Sequence, residues 1–136
     1  MATGTLGDQA RFQPRQVANT WRRQVNWNDA GISSPVAGVI IPQGTFILRV
    51  LCEIVTPFNA ATTNVLTLGT NAGANNIIAA ADVDEATAGV YDITRGLGRS
   101  LAAAGDVTIS VKYAQTGTAA TAGQAEIVVE YEANTG

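Results

Sequence analysis

The chain reads as an all-β protein, an antiparallel β-sandwich or jelly roll carrying an extended N-terminal arm. In three long segments apolar side chains recur at every second position, the spacing that collects them on one face of a pleated strand. Clusters of Pro, Gly, Asn and Ser punctuate the chain between these and weaker apolar runs, as they do between the strands of a sandwich. No heptad, βαβ alternation or internal repeat competes with that reading.

The first 16 residues hold only Leu6 and Phe12 as large apolar side chains beyond Met1, together with two early glycines and Pro14. No regular period runs through them, so residues 1–16 are expected to form the arm and residues 17–136 a single β domain. In residues 45–56 the even positions Phe46, Leu48, Val50, Cys52 and Ile54 are apolar, with Arg49 and Glu53 on the other face. That segment predicts a half-buried strand.

In residues 106–115, Val107, Ile109, Val111 and Tyr113 alternate with polar neighbours. In residues 124–133, Ala125, Ile127, Val129 and Tyr131 alternate with Glu126, Glu130 and Glu132. A loop of small residues, 116–123, joins these two segments, which predicts an antiparallel hairpin pair. Weaker strands are expected at 17–26, 36–41, 65–69, 76–80 and 90–94. A short helix is expected at 99–104, hemmed in by Gly96, Gly98 and Gly105.

At 136 residues the chain has room for one core and not two. Charged residues make up 14% and apolar residues 46%, which excludes a disordered chain and favours a globule that also buries surface against neighbours. The net charge of -3 is unevenly spread: Arg11, Arg15, Arg22 and Arg23 face only Asp8 and Asp29 in residues 1–30, and the acidic excess lies beyond. This polarity can orient copies against an acidic surface or each other. Without a clustered basic stripe, direct nucleic-acid binding is not expected.

Cys52 is the only cysteine, so no intrachain disulfide forms, and its apolar setting predicts a core thiol. No apolar stretch is long enough to cross a bilayer as a helix, and the N-terminal residues lack the apolar core of a signal peptide. Synthesis in a cytoplasm, with no membrane partner, is the expectation.

Histidine is absent, which removes the commonest general base, the usual nucleophile triads and most zinc sites. No enzyme activity, catalytic residue, metal or cofactor is expected. Asp82, Asp84 and Glu85 place hard oxygen ligands close together, but without the full series and central glycine of a calcium loop; a solvated loop is the competing reading. Gly96–Gly98 and Gly69–Gly73 lack the strand-to-helix setting and the Lys of a phosphate cradle, and read as turns. Trp21 and Trp27 share one face of the first strand with Arg23 and Val25. They either cover the core or, with Arg22 or Arg23 beside them, supply an interface anchor.

Ile41-Pro42-Gln43-Gly44-Thr45-Phe46-Ile47 and the run that follows to Gly73 combine a Pro-x-Gly turn, a long core strand, a Thr-Pro-Phe-Asn bend and a Thr-Leu-Gly strand. The segment 107–133 adds a strand, a Thr/Gly/Ala loop and a closing strand ending in Glu-Tyr. This pattern resembles small structural proteins of tailed bacteriophages, in particular the capsid decoration or cement family. The resemblance implies a jelly-roll-like homo-oligomer, a trimer, that binds the major capsid protein on the exterior of the virion and stabilises the lattice. The resemblance does not fix which residues touch the capsid; from their residue types, Arg11, Phe12, Arg15, Trp21, Arg22 and Arg23 are the expected interface residues. A tail, neck or fibre-base protein on the same fold is the alternative, and a carbohydrate-binding module using Phe58 and Tyr91 a more distant one.

Overall fold

The structure, a computed structural model, describes residues 18–94 and 97–133. The expected arm, with Arg11, Phe12 and Arg15, lies outside them. The strands are β1 (Asn19–Asn26), β2 (Val36–Ile41), β3 (Phe46–Thr56), β4 (Thr63–Gly69), β5 (Gly89–Asp92), β6 (Val107–Thr116) and β7 (Gln124–Glu132). They form a four-stranded sheet in the order β1-β7-β3-β5 and a three-stranded sheet in the order β2-β6-β4. All ladders are antiparallel. The expected short helix is a 3-10 turn over Ser100–Ala102.

Each strand is followed in the chain by one in the opposite sheet, so consecutive strands face one another across the core and pair with others. This winding is that of a jelly roll. It overturns the expected hairpin: β6 pairs with β2 and β4, whereas β7 pairs with β1 and β3. The loop between them is fixed to the β3–β4 crossover instead. The Asn59 side chain accepts hydrogen bonds from the amides of Thr121 and Ala122, and the Ala61 amide donates to the Thr118 carbonyl. Alternation reports which face a side chain takes, not which strand lies alongside.

The strand expected at 76–80 is reduced to one bridge, in which Ile78 pairs with Leu68. Since β6 occupies one side of β4, this bridge sits on the other, where an eighth strand would extend the smaller sheet to four.

The core lies between the sheets. Val25, Val50, Cys52, Ile54, Leu66, Leu68, Ile109, Val111, Ala125, Ile127 and Val129 are buried there. The alternation of β6 and β7 is realised as expected. In β3 it is interrupted: a register shift between Ile47 and Arg49 turns Ile47 inward and leaves Phe46 at 47% exposure. One extra residue in a bulge inverts the phase of everything on one side of it. The turn before β3 uses Gly44 at φ 82°, a conformation open to glycine at little steric cost, and the Thr45 hydroxyl donates back to the Pro42 carbonyl.

Candidate interaction surfaces

Four strand edges and two outer faces are the places where another chain can meet this sandwich. The outer face of the larger sheet is the more apolar and the more charged. Across the strands, Arg22, Val128, Leu51 and Asp92 make one row, and Gln24, Glu126, Glu53 and Val90 the next. Val90 is 65% exposed. Together with Arg22, Leu51, Glu53, Glu126 and Val128 it lines a shallow depression. The Arg22 guanidinium forms an ion pair with Glu126 across the β1–β7 ladder. The outer face of the smaller sheet is made of small and polar residues such as Thr108, Ser110 and Lys112, with Ile40 exposed at its edge strand.

The expected interface residues on β1 separate by parity. Arg22 points outward. Trp21 and Arg23 point inward, beside Val25 on the core side. The Trp21 ring packs against the core and lies directly over Gly38 of β2, where a Cβ would collide with it. Gly38 also falls at the register shift between Ala37 and Val39. Trp21 thus closes the sandwich between β1 and β2, the core-covering alternative. Arg23 is half-buried, and its Nε is shielded from solvent with no hydrogen-bond partner among the described residues.

On the opposite side of the molecule the acidic residues 82–85 do not act together. Asp82 accepts from the Ala79 amide, and Asp84 from the Ala86 amide and the Thr87 hydroxyl. Glu85 departs from the expected solvated loop: it is 5% exposed and accepts from the Leu66 amide at 2.7 Å. The carboxylate thereby fills a backbone position that an eighth strand would have filled. Burial pushes the Glu85 carboxyl above its ordinary pKa, opposed by the Leu66 amide. Burial likewise pushes the Cys52 thiol up to about 12, with Glu85 adding to the effect, so the thiol stays protonated. Among the described residues no three His, Cys, Asp or Glu side chains converge to hold a metal ion.

The two aromatics of the carbohydrate reading are not presented to solvent as a platform. Phe58 is 1% exposed and packs on Tyr113 with ring centroids 4.6 Å apart. Tyr91 lies opposite Cys52 on the core side of β5, and its hydroxyl donates to the Asp84 and Thr87 carbonyls.

Comparison with solved structures finds this winding elsewhere. The fold is one that occurs in phage capsids. A chain of the cyanophage Pam1 capsid asymmetric unit matches with a TM-score of 0.56 at 17% identity, covering 86% of this chain and 85% of that one. A chain of the acid-stable capsid of Helicobacter pylori bacteriophage KHP30 matches with a TM-score of 0.56 at 16% identity, covering 85% and 86%. A chain of the Ralstonia phage GP4 capsid matches with a TM-score of 0.58 at 14% identity, covering 88% and 86%. The near-equal coverages mean that each likeness takes in most of this chain and most of a chain of similar length. No protein-family model and no curated protein matches the sequence.

Proposed function

We propose that the chain is a structural protein of a phage virion and acts as a decoration or cement protein, binding the major capsid protein lattice on the outside of the head. The observation that carries this reading is the likeness, over most of both chains, to chains of similar length in capsid structures of three phages. A cement protein needs a stiff platform with surfaces for more than one neighbour, and a sandwich with a continuous core supplies one. The outer face of the larger sheet, with Leu51, Val90 and Val128 ringed by charges, has the composition of a contact surface. A homo-oligomer, in the simplest case a trimer, would multiply weak contacts through effective concentration.

The test is addition of purified protein to heads that lack it. Saturable binding in proportion to the capsid lattice, with raised resistance of the heads to heat, is the expected result. Localisation of the protein only to tail or neck in images of the particle overturns the reading.

A further inference from the structure

On the outer face of the larger sheet, charge is not balanced from row to row. Arg49 stands opposite Glu130 and near Asp92, whose carboxyl is held below its ordinary pKa by the Thr94 amide first and by Arg49 as well. Arg22 is engaged with Glu126. Glu53 is exposed, lies directly opposite Glu126 in the β3–β7 ladder, and its side chain makes no ion pair or hydrogen bond among the described residues. Like charges facing each other across a ladder are destabilising, because their Cβ atoms stand only about 5 Å apart. Arg22 offsets one of these two carboxylates, and a second cation brought from outside would offset the other.

Beside the two carboxylates the surface sinks into a depression of about 180 Å³, to which Leu51, Val90 and Val128 contribute the apolar part of the lining. Leu51 and Val128 are half-buried and Val90 is largely exposed, so apolar area remains to be covered there. An apolar lining next to carboxylates is complementary to one kind of side chain, a cationic head on an aliphatic stem.

We propose that this depression receives a basic side chain of the capsid partner, its stem against Leu51, Val90 and Val128 and its charged head at Glu53 and Glu126. Such a contact combines the two features of a binding hot spot, a filled pocket and a paired charge. The identity of the partner rests on the capsid reading; the chemistry of the contact rests on the face itself.

A second copy of this chain fits the depression less well. Over the three rows that cross β7 at Glu130, Val128 and Glu126, Arg22 and Arg49 stand against Glu53, Asp92, Glu126 and Glu130, so two such faces laid together repel. The three strands of the smaller sheet carry a single charged residue, Lys112. One cation leaves part of the acidic excess unmatched.

The test measures binding of full-length variants to heads that lack the protein, at low and at raised ionic strength. Glu53→Lys puts a cation opposite Glu126, a favourable cross-strand pair, so the domain should fold with its thermal midpoint unchanged or raised. Its affinity for heads should fall ~10-fold at low salt, and the deficit should shrink as salt screens the contact. Val90→Ser removes apolar contact and no charge, so a loss of ~5-fold at both ionic strengths is expected. Lys112→Glu, on the other sheet, should bind as wild type does. If wild type binds and Glu53→Lys binds equally well, or if Lys112→Glu is weakened as much as Glu53→Lys, this proposal falls while the capsid reading stands. A lowered mass of Glu53→Lys by light scattering would assign the face to a second copy and overturn the proposal in the same way. Failure of wild type to bind heads overturns the capsid reading and this proposal with it. Should Glu53→Lys not fold, Glu53→Gln, which keeps the shape and drops the charge, is read by the same outcomes.

Discussion

At the β4 edge of the sandwich lateral backbone groups are already taken by the chain itself, whereas at the β1 edge those of Thr20, Arg22 and Gln24 face away from β7 and meet no strand among the described residues. The difference follows from what the long β4–β5 connection does. It returns past β4 and offers the Ile78 backbone to Leu68 and the Glu85 carboxylate to Leu66. Side chains and single bridges thus replace a strand without making a new edge that would itself need protection. β1 has no comparable cover among the described residues. Among the described residues, one edge of the sandwich is covered and the other is not.

The strongest way to break this contrast is to open the sealed edge. Ile78 is 0% exposed, and Ile78→Ala should cost about 2–5 kcal/mol by loss of burial and the cavity left behind. Chemical denaturation gives the energy, and amide exchange should show the Leu68 amide losing protection more than the β7 amides. Equal loss at both places would mean that the bridge does not guard the edge.

At the open end, Trp21→Ala should cost about 2–3 kcal/mol, less than for a fully buried tryptophan because the ring is only partly covered. Trp21→Leu leaves a smaller void and should cost less than Trp21→Ala in the same denaturation assay.

Glu85→Ala leaves the Leu66 amide without its acceptor and should cost about 1–3 kcal/mol. Glu85→Gln keeps an oxygen for that bond and removes only the ionisation, so its effect is a change in pH dependence. The native carboxyl has its pKa raised by burial, with Asp84 reinforcing the shift; Cys52, Tyr91 and Tyr113, the other titratable groups coupled to it, carry no positive charge. A raised carboxyl binds its proton more tightly in the folded state. Its stabilising effect is therefore full below the unfolded value, near 4.5, and is lost as pH rises through the folded value. Thermal midpoints of wild type and Glu85→Gln should nearly coincide at about pH 4 and separate towards neutrality, with the variant the more stable. A separation that grows towards acid instead would contradict this assignment.

Much of the fold was legible in side-chain alternation. The strands with unbroken alternation, β6 and β7, place their inward residues as the sequence predicts, and β2 coincides with the expected segment. The weaker signals misled where local rules gave way to tertiary ones. The small-residue loop at 116–123 has the look of a hairpin connection, yet its amides are claimed by Asn59 from another crossover. In residues 76–80 the chain is apolar enough for a strand but makes one bridge, because the neighbouring edge position belongs to a side chain. Glu85 gave no sign of its burial, since an acidic residue in an acidic run reads as solvated until a backbone amide with no strand partner is found beside it.

The candidate surfaces divide in the same way. Parity along β1 separates Arg22 from Trp21 and Arg23 in the sequence itself, because a strand has a fixed period of two. That Trp21 lies over Gly38, and that Arg23 has a buried nitrogen without an acceptor, emerged only when two distant segments met. By itself the sequence determined an all-β chain, a thiol in the core and the inner face of most strands, because these depend on periodicity and burial of apolar area. Tertiary structure decided the winding between sheets, the bulge that reverses Phe46 and Ile47, and which edge remains open, because these depend on partners far apart in the chain.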